Sequence, residues 1–117
     1  LDYAIKLPNF SSAVVPKRKV TRYLLNQAHP AGGSKAAFFL RFGFLVPHWK
    51  VFADLLLQHA SQNAVAAKET TQYGMRYVVD GPLVAPDGTC LNIRCVWFID
   101  NGMKSPRFVT AYPLPKS

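Results

Sequence analysis

The apolar residues of this 117-residue chain change their spacing once, near Asn63, and no other feature narrows the choice of fold as far. Before Asn63 they recur every three or four positions, as one face of a helix requires. After it they alternate, as a strand with one buried face requires. A helical half followed by a stranded half predicts an α+β domain, with about three N-terminal helices and then an antiparallel sheet of three to four strands. The length suits one domain over residues 1–117 with a single modest core.

Breakers punctuate the helical half. Pro8, Asn9, Ser11 and Ser12 make residues 1–15 an irregular segment, with Ala13-Val14-Val15 as a short extended piece. Pro16 opens a predicted helix over 16–27, whose buried stripe is Val20, Leu24 and Tyr23 and whose remainder carries Lys17, Arg18, Lys19 and Arg22. Ser34 is the expected N-cap of a second helix over 34–42, with Ala36, Phe39 and Leu40 inward and Gly43 at its C-terminal end. A third helix is predicted over 47–62. Trp49, Phe52, Leu55, Leu56 and His59 share its apolar stripe, so His59 reads as a packed residue rather than a catalyst, and His48 falls in an exposed first turn.

In the stranded half, 64–71 reads as a short edge strand. Over 74–84, Met75, Tyr77, Val79 and Leu83 share one face, and Arg76, Val78 and Asp80 the other. Ala85-Pro86-Asp87-Gly88 turns the chain into a strand over 90–100, where Leu91, Ile93, Cys95, Trp97 and Ile99 alternate with Asn92, Arg94, Val96 and Phe98. Asn101-Gly102 turns it again before a last strand over 107–114. One sheet face is expected to pack on the helices. The other is expected to hold a ligand groove bearing Arg76, Arg94 and the outward residues of the last strand.

Charge narrows the function. Fourteen Lys and Arg face six Asp and Glu, a net charge of +8, and Glu69 is the single glutamate. Such a balance suits a polyanion, nucleic acid ahead of an anionic membrane surface or an acidic protein. No apolar run approaches the ~20 residues of a membrane span; the longest, 36–46, is broken by Arg41 and Gly43. Cys90 and Cys95 lie an odd number of positions apart in one strand, hence on opposite faces, so no mutual disulfide is expected. No Cys-x-x-Cys pair marks a structural zinc. Asp2, Asp54, Asp80, Asp87 and Asp100 are scattered, so neither a metal site nor a cofactor is expected. The first residue is Leu1 rather than methionine, as in an excised C-terminal fragment of a longer protein or a trimmed piece.

The segment from Leu25 to Ala36 carries the chemistry. It sets His29 and Lys35 six positions apart across a Pro30-Ala31-Gly32-Gly33-Ser34 turn. Gly32 and Gly33 let the backbone pass close to another group. A helix start there, with Lys35 and His29 beside it, would make an anion site with a proton-transfer group; the plainer alternative is a capped turn with an exposed histidine. Gly32-Gly33-Ser34-Lys35 follows a helix, not a strand, and so is no phosphate loop. Cleavage of RNA through its own 2′-hydroxyl needs no metal. A proton acceptor, a proton donor and cations for the transition state are enough. Two places supply them: His29 with Lys35, and Arg76, Tyr77, Arg107, Thr110 and Tyr112 in the sheet.

The chain also resembles a known family. Lys6-Leu7-Pro8-Asn9, Ala13-Val14-Val15, Tyr23-Leu24-Leu25-Asn26, His29-Pro30, Gly32-Gly33, Lys35-Ala36 and Phe39 are similar to an uncharacterised bacterial domain family found alone and at the C-termini of large secreted toxins. Tyr73-Gly74, Arg76-Tyr77-Val78-Val79-Asp80, Trp97 and Pro106-Arg107-Phe108-Val109-Thr110-Ala111-Tyr112 continue the likeness over residues 6–113. The order of elements also resembles the barnase/EndoU/colicin/RelE (BECR) superfold of toxin ribonucleases. These resemblances imply a contact-dependent growth-inhibition toxin that cleaves tRNA or another RNA, is blocked by a cognate acidic immunity protein, and is delivered into the cytoplasm of a target cell. A barnase-like Glu-Arg-His set is missing.

The expectation is therefore a metal-independent endoribonuclease. Lys35 and Arg76 would hold phosphate, His29 would transfer the proton, and Arg107 and Thr110 would position the scissile group. Arg94, Tyr77 and Tyr112 would bind substrate. Arg107 and Thr110 point to opposite faces of an ideal strand and share a site only if Arg107 sits before the strand or at a bulge. The alternative is a non-catalytic RNA- or protein-binding module.

Overall fold

The computed structural model describes residues 5–115; Asp2 and the chain ends at 1–4 and 116–117 lie outside them. A short 3₁₀ turn, Phe10–Ser12, precedes α1, Lys17–Lys19, which runs on as a π-helical turn, Val20–Leu24. Helix α2 spans Gly33–Arg41. A 3₁₀ turn, Val46–His48, leads into α3, Trp49–Gln62. The strands are β1, Val65–Thr71; β2, Gly74–Val84; β3, Cys90–Asp100; and β4, Arg107–Pro113. They form one antiparallel meander in the order β1-β2-β3-β4. The α+β expectation, helices first and a four-stranded antiparallel sheet second, is what the chain forms.

The core lies between the sheet and the helices. Tyr77, Val79, Leu83, Leu91, Ile93, Cys95, Trp97, Phe108 and Ala111 meet Val20, Leu24, Phe39, Phe44, Phe52 and Leu56 there. Phe44 stacks on Phe52 at 4.0 Å between ring centroids, and Trp97 meets Phe108 edge-on at 5.4 Å. The alternation in β2 and β3 fixes which face goes inward, because a one-residue slip would turn every one of these side chains to water. Cys95 is buried and Cys90 exposed, as their odd spacing requires; burial pushes the Cys95 thiol well up. His59 is buried as its stripe indicates, with Nε2 at 3.1 Å from both Gly81 O and Ile93 O. Two acceptors at one nitrogen place the ring proton on Nε2.

Three local expectations change. The first helix is shorter than 16–27 and ends in a wider π turn, closed by Leu25 N–H donating to Val20 O at 2.9 Å. Ser34 does not cap α2: the N-cap is Gly32, and Ser34 already lies in the first turn. The third helix is preceded by a 3₁₀ turn that includes Pro47 and His48, so α3 starts at Trp49. The extended piece around Val14 is real. It lies parallel to the rim of β4, with Val14 N–H donating to Pro106 O at 2.9 Å and Phe108 N–H to Val14 O at 3.0 Å.

Candidate active site

Helix α2, the π turn and strand β4 bring three side chains from distant parts of the chain to one point. The Lys35 ammonium donates to Tyr23 Oη at 2.8 Å and to Thr110 Oγ1 at 3.2 Å. The two hydroxyls are themselves 2.8 Å apart. Tyr23 comes from the π turn, a distortion that recurs at functional sites because it re-aims side chains out of the helical register. Lys35 comes from the first turn of α2. Thr110 comes from β4, the last strand in the sheet order.

A bulge sets the position of Thr110. Val96 pairs with Thr110, but Trp97 pairs with Phe108, so Val109 is the extra residue in β4. The bulge turns Phe108 and Ala111 inward while Thr110 and Tyr112 point away from the core. It also leaves Val109 O to accept from Lys19 Nζ at 3.1 Å. Lys19 Nζ lies 5.2 Å from the centre of the Tyr23 ring and Lys35 Nζ 5.3 Å, so two cations flank one phenol. Burial would raise the Tyr23 pKa. The hydrogen bonds with Lys35 and Thr110, with the charges of Lys35 and Lys19, outweigh it and hold the phenol below its ordinary value.

The glycine pair does what its sequence suggested. A Cβ on Gly32 would stand 2.9 Å from the Tyr23 ring, and one on Gly33 would stand 2.5 Å from Gln27 O. The missing side chains let the turn close over Tyr23. His29 secures that turn: its Nδ1 accepts from Ala31 N–H at 3.0 Å and Gly32 N–H at 3.1 Å. In the neutral ring the proton is therefore on Nε2, the one ring nitrogen left for chemistry. The ring stands edge-on to Tyr23 at 5.0 Å. Arg18, Lys19, Arg22, Tyr23 and His29 line a cleft of about 280 Å³ beside this point.

The other expected site residues divide. Tyr112 lies under Lys35, with the ammonium 5.6 Å from its ring centre. Arg94 is opposite Tyr112 in the β3–β4 register and clasps Asp80 with two bonds of 2.8 and 2.9 Å. Those bonds, then one with Tyr112, push its pKa further up. Because of the bulge, Arg107 and Thr110 point to the same face, as a shared site would require. The Arg107 guanidinium is nevertheless occupied by Asp100, at 2.8 and 3.1 Å, over the Phe98 ring. Arg76 stands on β2 opposite Glu69 and Phe98, two strands from Thr110. Tyr77 is turned into the core, away from the face that carries Arg76.

Tyr23, Lys35 and Thr110 thus meet at a junction on the β4 rim of the sheet, while Arg76 and Arg107 stand apart on its open face. Tyr23 and Lys19, which sequence reasoning treated as packing and surface, belong to that junction. Among the described residues no carboxylate forms an ion pair with Lys35, so its charge is left for an anion. Among those residues no three His, Cys, Asp or Glu side chains gather where a metal ion would sit, and no helix is long and apolar enough to cross a membrane.

The sequence matches the family model for a domain of unknown function, DUF6883, over residues 6–115. The chain belongs to that family. No curated relative matches it. The DUF6883 domain is similar in structure to a chain of a contact-dependent growth inhibition toxin–immunity protein complex from Klebsiella pneumoniae 342, with a TM-score of 0.70 and 21% identity. The likeness covers 87% of this chain and all of that one, and it shows a shared fold.

Proposed function

We propose that this DUF6883 domain is a metal-independent endoribonuclease, the toxin of a bacterial competition system acting on RNA, with tRNA the expected substrate. The observation that carries the reading is the Lys35 ammonium held by two hydroxyls and, among the described residues, by no carboxylate, next to a phenol whose pKa is lowered. Phosphate fits beside Lys35 and Lys19. Tyr23 as phenolate takes the proton of the RNA 2′-hydroxyl. The 2′-oxygen bonds to phosphorus, the bond from phosphorus to the 5′-oxygen breaks, and that oxygen takes a proton from water, whose hydroxide returns Tyr23 to the phenolate; the His29 Nε2–H donates a hydrogen bond to a phosphoryl oxygen. Products are a 2′,3′-cyclic phosphate and a 5′-hydroxyl. Lys35 stabilises the charge that builds on the phosphoryl oxygens, and Thr110 orients Tyr23 and Lys35.

The BECR superfold, a place at the C-terminus of a larger secreted effector and action in the target-cell cytoplasm belong to the same proposal. So does an acidic immunity protein that covers the basic junction. The fold shared with a chain of a toxin–immunity complex supports them. Because that complex holds both a toxin and its inhibitor, the second reading is a non-catalytic binding module. Incubating purified protein with total tRNA in excess EDTA separates the two. Cleavage to cyclic-phosphate ends is expected. Intact RNA retained by the protein at long times would favour the binding module, and activity that needs added magnesium or zinc would overturn the metal-free chemistry.

A further inference from the structure

A second cleft, of about 440 Å³, opens between the C-terminal half of α2 and the ends of β3 and β4. Phe38, Arg41, Phe42, Thr89, Cys90 and Asn92 line it, with Pro113 and Leu114 as the β4 wall. Its volume falls within the ~300–1,000 Å³ of small-ligand sites.

Two elements connect it to the junction. Along α2, Phe38 and Phe42 follow Lys35 by three and seven positions and share its side of the helix. At 1.5 Å of rise per residue they stand roughly 5 to 10 Å further along the axis. Along β4, Thr110 and Tyr112 run straight into Pro113 and Leu114. The two Phe rings meet edge-on at 5.0 Å and are only half-buried, so ring surface stays open. Arg41, Thr89 and Asn92 are exposed, and their side chains make no hydrogen bond among the described residues. No carboxylate lines the cleft.

We propose that this cleft is a nucleobase subsite, which takes one unstacked base of single-stranded RNA next to the phosphate held at Lys35. The proposal rests on the RNA reading above. Open aromatic surface stacks any base, an Asn amide pairs with a base edge, and Arg41 meets the next phosphate or stacks on the base.

Cys90 supplies the test, because it lines the cleft and is exposed while Cys95 is buried. The rate of Cys90 alkylation by iodoacetamide is measured alone, with a short oligo(2′-O-methyluridine), and with an abasic 2′-O-methyl backbone of the same length. The methyl groups prevent cleavage, so the readout is independent of catalysis, and binding is followed separately by fluorescence anisotropy. The base-bearing strand should slow alkylation about tenfold and the abasic strand should not. Asn92→Ala, an exposed change that spares the core, should remove part of the protection. Binding of the base-bearing strand with Cys90 still fully reactive would overturn the subsite and leave the RNA reading standing. Equal protection by both strands, or protection by polyglutamate, would also overturn it. If neither strand binds and tRNA is not cut, the RNA reading fails and the subsite with it.

Discussion

Tyr23 sits among cations and hydroxyls that hold its phenol below the ordinary value. Tyr23→Phe removes one oxygen and keeps the ring that packs under Gly32. Stability should therefore fall by no more than about 1.5 kcal/mol, while RNA cleavage should fall roughly 100- to 10,000-fold. If the phenolate is the base, the rate should rise with pH and level off below the ordinary phenol value of 10.0. Removing the flanking charge in Lys19→Ala should move that inflection upward; an unmoved pH–rate profile would take Tyr23 out of the proton transfer. Gly32→Ala tests the same residue by crowding its ring, and should cost activity more than melting temperature. Lys35, Thr110 and Tyr112 were legible in the sequence as residue types suited to phosphate chemistry. Tyr23 was not, because a tyrosine on a helical stripe reads as packing and nothing local announces the π turn that re-aims it. The role of His29 was half legible. Its place beside the turn was clear, but the two amides that occupy Nδ1 follow from the turn's closure, which single-residue patterns do not encode. His29→Ala should therefore cost both activity and about 1 kcal/mol of stability.

At the scale of elements, the sheet was legible almost throughout, because alternation over eleven-residue strands fixes inward and outward faces and the two turn signals fix the connections. The Val109 bulge was not. It moves Thr110 to the face that Lys35 reaches, and it depends on how β4 meets β3 and α1 rather than on the local residues. For the same reason the meeting of Lys35, Tyr23 and Thr110 at the sheet rim could not be read from the sequence. Helix α3 contributes stability rather than chemistry through His59. Burial lowers its pKa against the opposing pull of the Gly81 and Ile93 carbonyls and Asp80. The unfolded ring binds its proton near the ordinary 6.5 and the folded ring only at lower pH. The stability due to the neutral ring is thus complete above pH 6.5 and is lost as pH falls from there through the folded value. Melting temperature should fall with acid across that window, and His59→Gln should flatten the slope. His59→Ala at neutral pH should cost about 2–3 kcal/mol with little effect on the rate of the folded fraction; an unchanged melting temperature would contradict its structural role.

Over the whole molecule, the net charge of +8 carries two consequences. RNA affinity should fall steeply as salt rises, with a slope of about −0.7 in log–log form for each single-strand phosphate contacted, and a flat titration would argue against a polyanion. An inhibitor that neutralises the domain should be acidic. In hydrogen exchange it should protect the turn around His29 to Lys35 and the β4 rim; protection confined to α3 would mean inhibition from a distance. Both consequences serve one claim, that the junction of Tyr23, Lys35 and Thr110 cuts RNA without a metal. The most direct measurement is tRNA cleavage in excess EDTA by the wild type and by Lys35→Ala at matched melting temperatures. Lys35 is half-buried and lies outside the apolar core, so the fold should survive the change. The expected result is cleavage by the wild type to cyclic-phosphate ends and a loss of at least about 100-fold in the variant. Equal rates for the two proteins, or no cleavage by either, would contradict the claim.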